Sequence, residues 1–295
     1  MLLLVLICVP LLAGFAAAAA ARRYPSNSAT GRPAIDLARG AGETAARHHW
    51  RRAIEARRHP GTATGLALTL AGLVIIAGAA IVGALAYLIR GDSRMVEIDN
   101  SLSRWANDHQ SAFSTDVLDA VTRLGATATV VVLAVVLLIV ETRRMRSPWI
   151  APFLALVIIG NAFLYTTIKD LVDRLRPALN PIAESLGPSF PSGHSATAAA
   201  FFAAAALVLG RGRNQQTRSV LAGVAVGVAV AVATTRVLLG VHWLSDVIAG
   251  LALGWAWFAV CAVAFGGRLL RFGAAAETAG AASTEAPRPS GPPAG

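Results

Sequence analysis

Apolar residues in this chain fall into long blocks separated by short polar stretches. Residues 64–89, 124–140, 148–168, 192–210, 219–239 and 244–266 are almost free of charge. Most approach the roughly 20 residues that a helix needs to cross a hydrocarbon layer of about 30 Å. In such a layer every backbone N–H and C=O must be satisfied within the segment, so each block is predicted to be a transmembrane helix. Residues 1–20 are apolar too, ending in an alanine run before Arg22 and Arg23. A secretory leader would carry a basic stretch after Met1, whereas Leu2 follows directly. This block is therefore read as an additional span, in preference to a signal peptide or a misassigned start. In residues 91–123, Val96, Ile98, Leu102 and Trp105 recur at near-helical spacing among Glu97, Asp99, Arg104 and Asp108. That pattern predicts an amphipathic helix on the membrane surface, with Trp105 at headgroup depth. From Gly273 onward the residues are small or polar, and a disordered tail is expected over 267–295.

Composition agrees with an all-α integral membrane protein. Of 295 residues, 55% are hydrophobic and 14% charged, and the mean hydropathy is +0.59. A soluble domain carries about 25% charged residues. The net charge of +10 would suit a nucleic-acid partner if the arginines were clustered on one soluble domain, but they sit in short loops between spans. Residues 21–63 hold nine arginines and three histidines. They read as a cytoplasmic stretch attracted to anionic lipid headgroups rather than to nucleic acid. The basic stretches 21–63, 142–147, 211–218 and 267–271 all fall on one side of six alternating spans. By the positive-inside rule that side is cytoplasmic. Cys8 and Cys261 lie in apolar blocks and form no metal or disulfide pattern.

Three polar clusters remain, and the deduced topology puts all of them on the outer side. The first is Lys169-Asp-Leu-Val-Asp-Arg-Leu-Arg176-Pro177. Lys169 is the sole lysine beside 25 arginines. If the third span continued past it, Arg176 would lie two turns on along nearly the same face. The second is Pro191-Ser192-Gly193-His194, where a loop meets an apolar helix. Ser192 is suited to an N-cap and Gly193 to close backbone approach. The free N–H groups and the dipole of that helix start favour an anion. The third cluster contains Arg236, His242 and Asp246. His242 and Asp246 are spaced i, i+4 at the start of the sixth span, so they share a face. A carboxylate there can accept the Nδ1–H of the imidazole and leave Nε2 as a free nucleophile. Ionisable residues at membrane depth are costly and usually functional. Three cations, a helix N-terminus and two histidines suit a tetrahedral oxyanion attacked by one histidine and protonated by the other. No grouping resembles a metal site, and no cofactor is implied.

In their order and spacing these residues resemble the type-2 phosphatidic acid phosphatase superfamily, whose pattern is K-x6-R-P, then P-S-G-H, then S-R-x5-H-x3-D. Thr235 stands where the family usually has serine, and it keeps the hydroxyl. The resemblance covers about residues 64–266. It implies a six-helix membrane bundle with its site at the extracytoplasmic helix ends. It also implies His242 as the nucleophile, Asp246 as its orienting partner and His194 as the acid. Lys169, Arg176, Ser192, Gly193 and Arg236 would then hold the phosphate. The expected activity is metal-independent hydrolysis of a lipid phosphate or an isoprenyl diphosphate in the cell membrane. The alternatives are a phosphotransferase with an acceptor other than water, and a non-catalytic transporter. The transporter is disfavoured because the charges gather at one end of the spans rather than at the midplane.

Overall fold

The computed structural model describes residues 1–23, 60–91, 93–145, 147–177 and 187–284. Most of the basic segment 21–63 lies outside the described residues. The remainder forms α1 (Leu2–Arg23), α2 (Pro60–Leu88), α3 (Arg94–Asp108), α4 (Ala112–Thr122), a 3₁₀ turn (Arg123–Gly125) and α5 (Thr127–Met145). Then follow α6 (Ile150–Val172), α7 (Gly193–Leu209), α8 (Gln215–Leu238) and α9 (Leu244–Thr284). No strand occurs among the described residues.

α1, α2, α6, α8 and α9 each contain a segment long and apolar enough to cross a membrane. α4 and its 3₁₀ turn meet α5 at a bend of 53°, and the pair also passes as one broken span. α7 is shorter, with 17 residues. At 1.5 Å per residue it measures about 26 Å, and Ser192 and Ser195 at its start are fully buried. This is a multi-pass helical membrane protein. Its outward side chains are apolar, as they must be where lipid is the solvent: Val132, Ile139, Leu73, Ile76, Ile159 and Phe163 are all exposed.

With lipid on all sides, apolar surface alone gives no reason for helices to associate. Close backbone contact between small residues supplies it. α9 crosses α7 at Gly250 and Gly254, where a Cβ would lie 2.5 Å from the Ser192 carbonyl oxygen and 2.3 Å from that of Ala196. α1 meets α8 in the same way, with Gly14 against Gly223. α1 runs antiparallel to α8: Leu2 and Leu6 pack near Leu238, Leu239 and Val241, while the Ala21 carbonyl accepts from Gln215 at the other end. A larger core joins α5, α6, α7 and α9 through Val130, Leu137, Phe153, Val157, Phe201, Val208 and Cys261.

The two ends of the bundle differ in chemistry. One carries Arg143, Arg144, Arg211 and Arg213 at the α5–α6 and α7–α8 turns. The other gathers the C-termini of α6 and α8, the N-termini of α7 and α9, and the short helices α3 and α4. α3 is the amphipathic helix that its spacing predicts. Its buried residues are Asp99, Ser103 and Ala106, while Ile98 is exposed. Leu102 and Trp105 pack against the bundle on the same side, Arg94, Glu97, Arg104 and Asp108 stay exposed, and Asp99 enters a buried ion network. α9 continues to Thr284, past Gly273 where a disordered tail was expected, and residues 285–295 lie outside the described residues. Residues 274–276 and 281–282 are alanine, the strongest helix former, so helix persists where core-forming residues have run out.

Candidate active site

Residues 173–177 and 187–192 form the rim of the site between α6 and α7. α6 ends at Val172, and Asp173 adopts the left-handed conformation (φ 47°), which stops the helix. Lys169 and Arg176 therefore do not form the continuous helical stripe that their spacing suggested. They meet through the loop instead. Lys169 Nζ and Arg176 Nη2 both donate to the Pro188 carbonyl, and Arg176 Nε donates to that of Gly187 at 2.8 Å.

Ser192 stands at the N-cap position of α7 and is fully buried, yet its side chain makes no capping bond. Its hydroxyl accepts from Ser195 at 3.0 Å, and its amide donates to the Asp246 carbonyl at 3.0 Å. The side chain of Ser192 therefore does not cap the first turn of α7, and an uncapped helix start of this kind favours an anion. Gly193 lies against the Tyr165 ring, where a Cβ would come within 3.2 Å. His194 is half-buried in the same turn and within electrostatic reach of Arg236, Arg176 and Lys169. Arg236, on the last turn of α8, donates to Thr122 Oγ1 at 3.2 Å, and its buried Nε has no partner. Thr235 keeps its hydroxyl inside its own helix, where it donates to the Val232 carbonyl at 2.6 Å.

Between α8 and α9 the chain turns at Gly240, whose φ of +68° suits glycine. The turn is closed by the Val241 and His242 amides, both donating to the Arg236 carbonyl. It presents His242 with 2% exposure beside Asp246 with none. His242 Nδ1 lies 3.3 Å from Asp246 Oδ2, and Arg176 Nη1 lies 3.1 Å from His242 Nε2. A guanidinium can only donate. Nε2 is therefore the acceptor, Nδ1 carries the proton, and that proton points at Asp246. Burial lowers the pKa of His242; the hydrogen bond and charge of Asp246 oppose that, and Arg176 and Arg236 add to it. The net direction is downward, so at neutral pH the ring is neutral with its lone pair on Nε2. Burial likewise lowers Arg176 from its ordinary value, partly offset by Asp246.

The structure thus brings together, at one end of the bundle, every site residue that the sequence suggested. It adds three more. Arg174 Nη1 donates to Asp246 Oδ1 at 2.7 Å and to Ser245 Oγ at 2.7 Å, while Nη2 donates to Asp99 Oδ2 at 2.9 Å. Asp99 Oδ1 accepts the Ser245 amide at 3.0 Å, capping α9 from another helix. No local pattern marks Arg174, Asp99 and Ser245 as partners. The nearest signal was Asp99 itself, a charge inside a helix that also carries an apolar stripe. Among the described residues no group of three or more His, Cys, Asp or Glu side chains is placed to hold a metal.

Residues 149–269 match the model of the PAP2 superfamily. This segment, which holds α6 to α8 and most of the apolar part of α9, is a PAP2 superfamily segment. The chain is 29% identical over 161 residues to phosphatidylglycerophosphatase B of Bacillus subtilis, covering 53% of this chain and 77% of that protein. To the lipid A 1-phosphatase of Rhizobium johnstonii it is 35% identical over 130 residues, covering 41% of this chain and 49% of the relative, about half its length. A solved structure of a transmembrane PAP2-type phosphatidylglycerolphosphate phosphatase from Bacillus subtilis superposes with a TM-score of 0.60 at 27% identity, over 67% of this chain and 98% of that one. The PAP2 match spans α6 to α9, which carry Lys169, Arg176, His194, Arg236, His242 and Asp246; α3, which carries Asp99, lies before it.

Proposed function

We propose that this protein hydrolyses a membrane lipid phosphate or diphosphate through a phosphohistidine on His242. The observation that carries the reading is the orientation of that ring. Nδ1–H is held by Asp246, and Nε2 faces the guanidinium of Arg176. A phosphate drawn to Arg176, Lys169, Arg236 and the α7 start at Ser192 and Gly193 would take the Arg176 Nη1 hydrogen bond in place of Nε2 and meet the lone pair so released. In the first step Nε2 forms a bond to phosphorus as the P–O bond to the lipid breaks. His194 gives its proton to the departing oxygen. In the second step water attacks phosphorus and passes a proton to His194. The N–P bond then breaks, and inorganic phosphate leaves. Bound phosphate offsets the cations around His194 and so supports its protonated form. Preorganised cations and amides around the equatorial oxygens supply most of the stabilisation in such reactions.

The arginine-rich loops lie at the opposite end of the bundle from the site, which supports a plasma-membrane orientation with the site outside. The site's place at the helix ends, beside exposed Leu171 and Leu175, suits a substrate whose chains stay in the bilayer while its headgroup reaches His242. The test is phosphate release by purified protein from a panel of lipid mono- and diphosphates in detergent, with and without chelator. Release that survives chelation and vanishes in His242→Ala is expected. Loss of activity in chelator that magnesium restores would overturn this chemistry.

A further inference from the structure

Asp246 has no exposure, and three donors define the plane of its carboxylate. His242 Nδ1 and the Trp243 amide, at 3.0 Å, are its near neighbours in sequence and share Oδ2. The third is Arg174, which arrives from the α6–α7 segment and alone holds Oδ1, at 2.7 Å. Arg174 is in turn fixed from three directions. Asp99, 1% exposed, takes its other nitrogen; Ser245 takes a second bond; and its guanidinium stacks over the Trp243 ring at 5.2 Å. The Trp243 indole donates to the Leu175 carbonyl at 2.9 Å, tying the same segment to the turn that bears His242. Arg174 and Arg176 are two residues apart on this non-helical stretch. One reaches the carboxylate behind the imidazole and the other reaches the nitrogen in front of it.

Two buried carboxylates share this one guanidinium. Removing it leaves both partly uncompensated, and Asp246 becomes free to rotate away from Nδ1–H, or to take up a proton from solvent and donate it to Nδ1 of the Nε2–H tautomer. Either change would shift His242 off the tautomer that exposes the Nε2 lone pair. We propose that Arg174, anchored by Asp99, is a positioning residue for phosphoryl transfer: it fixes Asp246, and through Asp246 the tautomer and orientation of His242. The inference rests on His242 being the nucleophile proposed above.

The test combines two readouts on detergent-purified protein. One is ¹⁵N-histidine NMR, with the His242 signals assigned by difference from His242→Gln. The other is turnover of a lipid phosphate by the wild type and by Arg174→Ala, Arg174→Lys, Asp99→Asn, Asp246→Asn and the Arg174→Ala/Asp246→Asn pair. In Arg174→Ala the Nδ1–H signature of His242 should weaken. kcat should fall between about tenfold and a hundredfold, the cost of a displaced reacting group, with KM nearly unchanged. Arg174→Lys should recover part of the loss, and the near-isosteric Asp99→Asn should show a smaller loss of the same kind. Asp99→Asn carries the test if Arg174→Ala does not fold. Because Arg174 acts through Asp246, adding Arg174→Ala to Asp246→Asn should cost little more. Unchanged His242 signals in Arg174→Ala and Asp99→Asn would overturn the proposal. So would full additivity with Asp246→Asn, or a loss confined to KM, the mark of a phosphate ligand. A wild type that hydrolyses none of the lipid phosphates would defeat the function proposed above, while the NMR comparison would still decide whether Arg174 controls His242.

Discussion

Replacing Gly254 with alanine tests whether the α7–α9 crossing sets the geometry between the two histidines. A Cβ at residue 254 would stand 2.3 Å from the Ala196 carbonyl oxygen, 2.8 Å from the Ala199 Cβ and 3.0 Å from the Ala196 carbonyl carbon. Ordinary contact begins at about 3.4 Å, so the helices must part by about 1 Å. None of these atoms belongs to a side chain that can swing aside. α7 carries His194 two residues before Ala196, and α9 carries Asp246, whose carbonyl holds the Ser192 amide at 3.0 Å. Parting the helices therefore stretches the link between the α7 start and the His242–Asp246 pair. Overpacking of this kind costs about 1–3 kcal/mol of stability. A misplacement of about 1 Å at a reacting centre costs about a hundredfold in rate. The control is Gly72→Ala on α2, where a Cβ meets nothing within 4 Å. Both variants are assayed in detergent by thermal melting and by release of p-nitrophenolate from p-nitrophenyl phosphate. Gly72→Ala should match the wild type in kcat and melt at the same temperature or slightly higher, since alanine favours helix over glycine by up to about 1 kcal/mol. Gly254→Ala should melt lower and lose about a hundredfold in kcat. Turnover within about threefold of wild type in folded Gly254→Ala would show that the crossing does not set the catalytic geometry.

The two histidines should separate by leaving group. His242→Ala should abolish turnover and phosphoenzyme trapping together, whereas His194→Ala should lose about 10²–10⁴-fold on a lipid monoester and much less on p-nitrophenyl phosphate. Equal impairment of His194→Ala on both substrates, or a phosphoenzyme in His242→Ala, would refute this division of roles. For topology, Leu175→Cys and Arg213→Cys are made with Cys8 and Cys261 replaced by serine, because Cys8 is itself exposed. An impermeant thiol reagent should label the first but not the second in intact cells; the reverse pattern places the site inside. For pH, the pKa of His242 is depressed, so its lone pair is present at neutral pH and is lost only as pH falls through that lowered value. The acid limb of kcat/KM should have its midpoint below the ordinary histidine value of about 6.5. A His242-dependent midpoint above pH 7 would contradict this reading.

Much of this protein can be read directly from the chain, and the reason is that the relevant signals are local. Spans are visible because crossing lipid demands an unbroken apolar block, a property of the residues alone. His242 and Asp246 can be paired from sequence because four residues on a helix lie side by side. The Ser192–His194 helix start is legible because a proline, a cap residue and a glycine precede an apolar run. Tertiary structure decided whatever depends on distant segments meeting. Lys169 and Arg176 converge because the left-handed turn at Asp173 redirects the chain, not because a helix continues. α1 reads as an apolar block, but only packing shows Leu2 and Leu6 supporting the Leu238–Val241 segment before His242. Asp99 looked like one more charge on a surface helix, and Arg174 like one more loop arginine. The bond that unites them spans 75 residues, and Arg174 reaches Asp246 across 72. An ion pair inside a membrane bundle forms when folding excludes water from both partners, and no spacing along the chain announces which two charges will be shut in together.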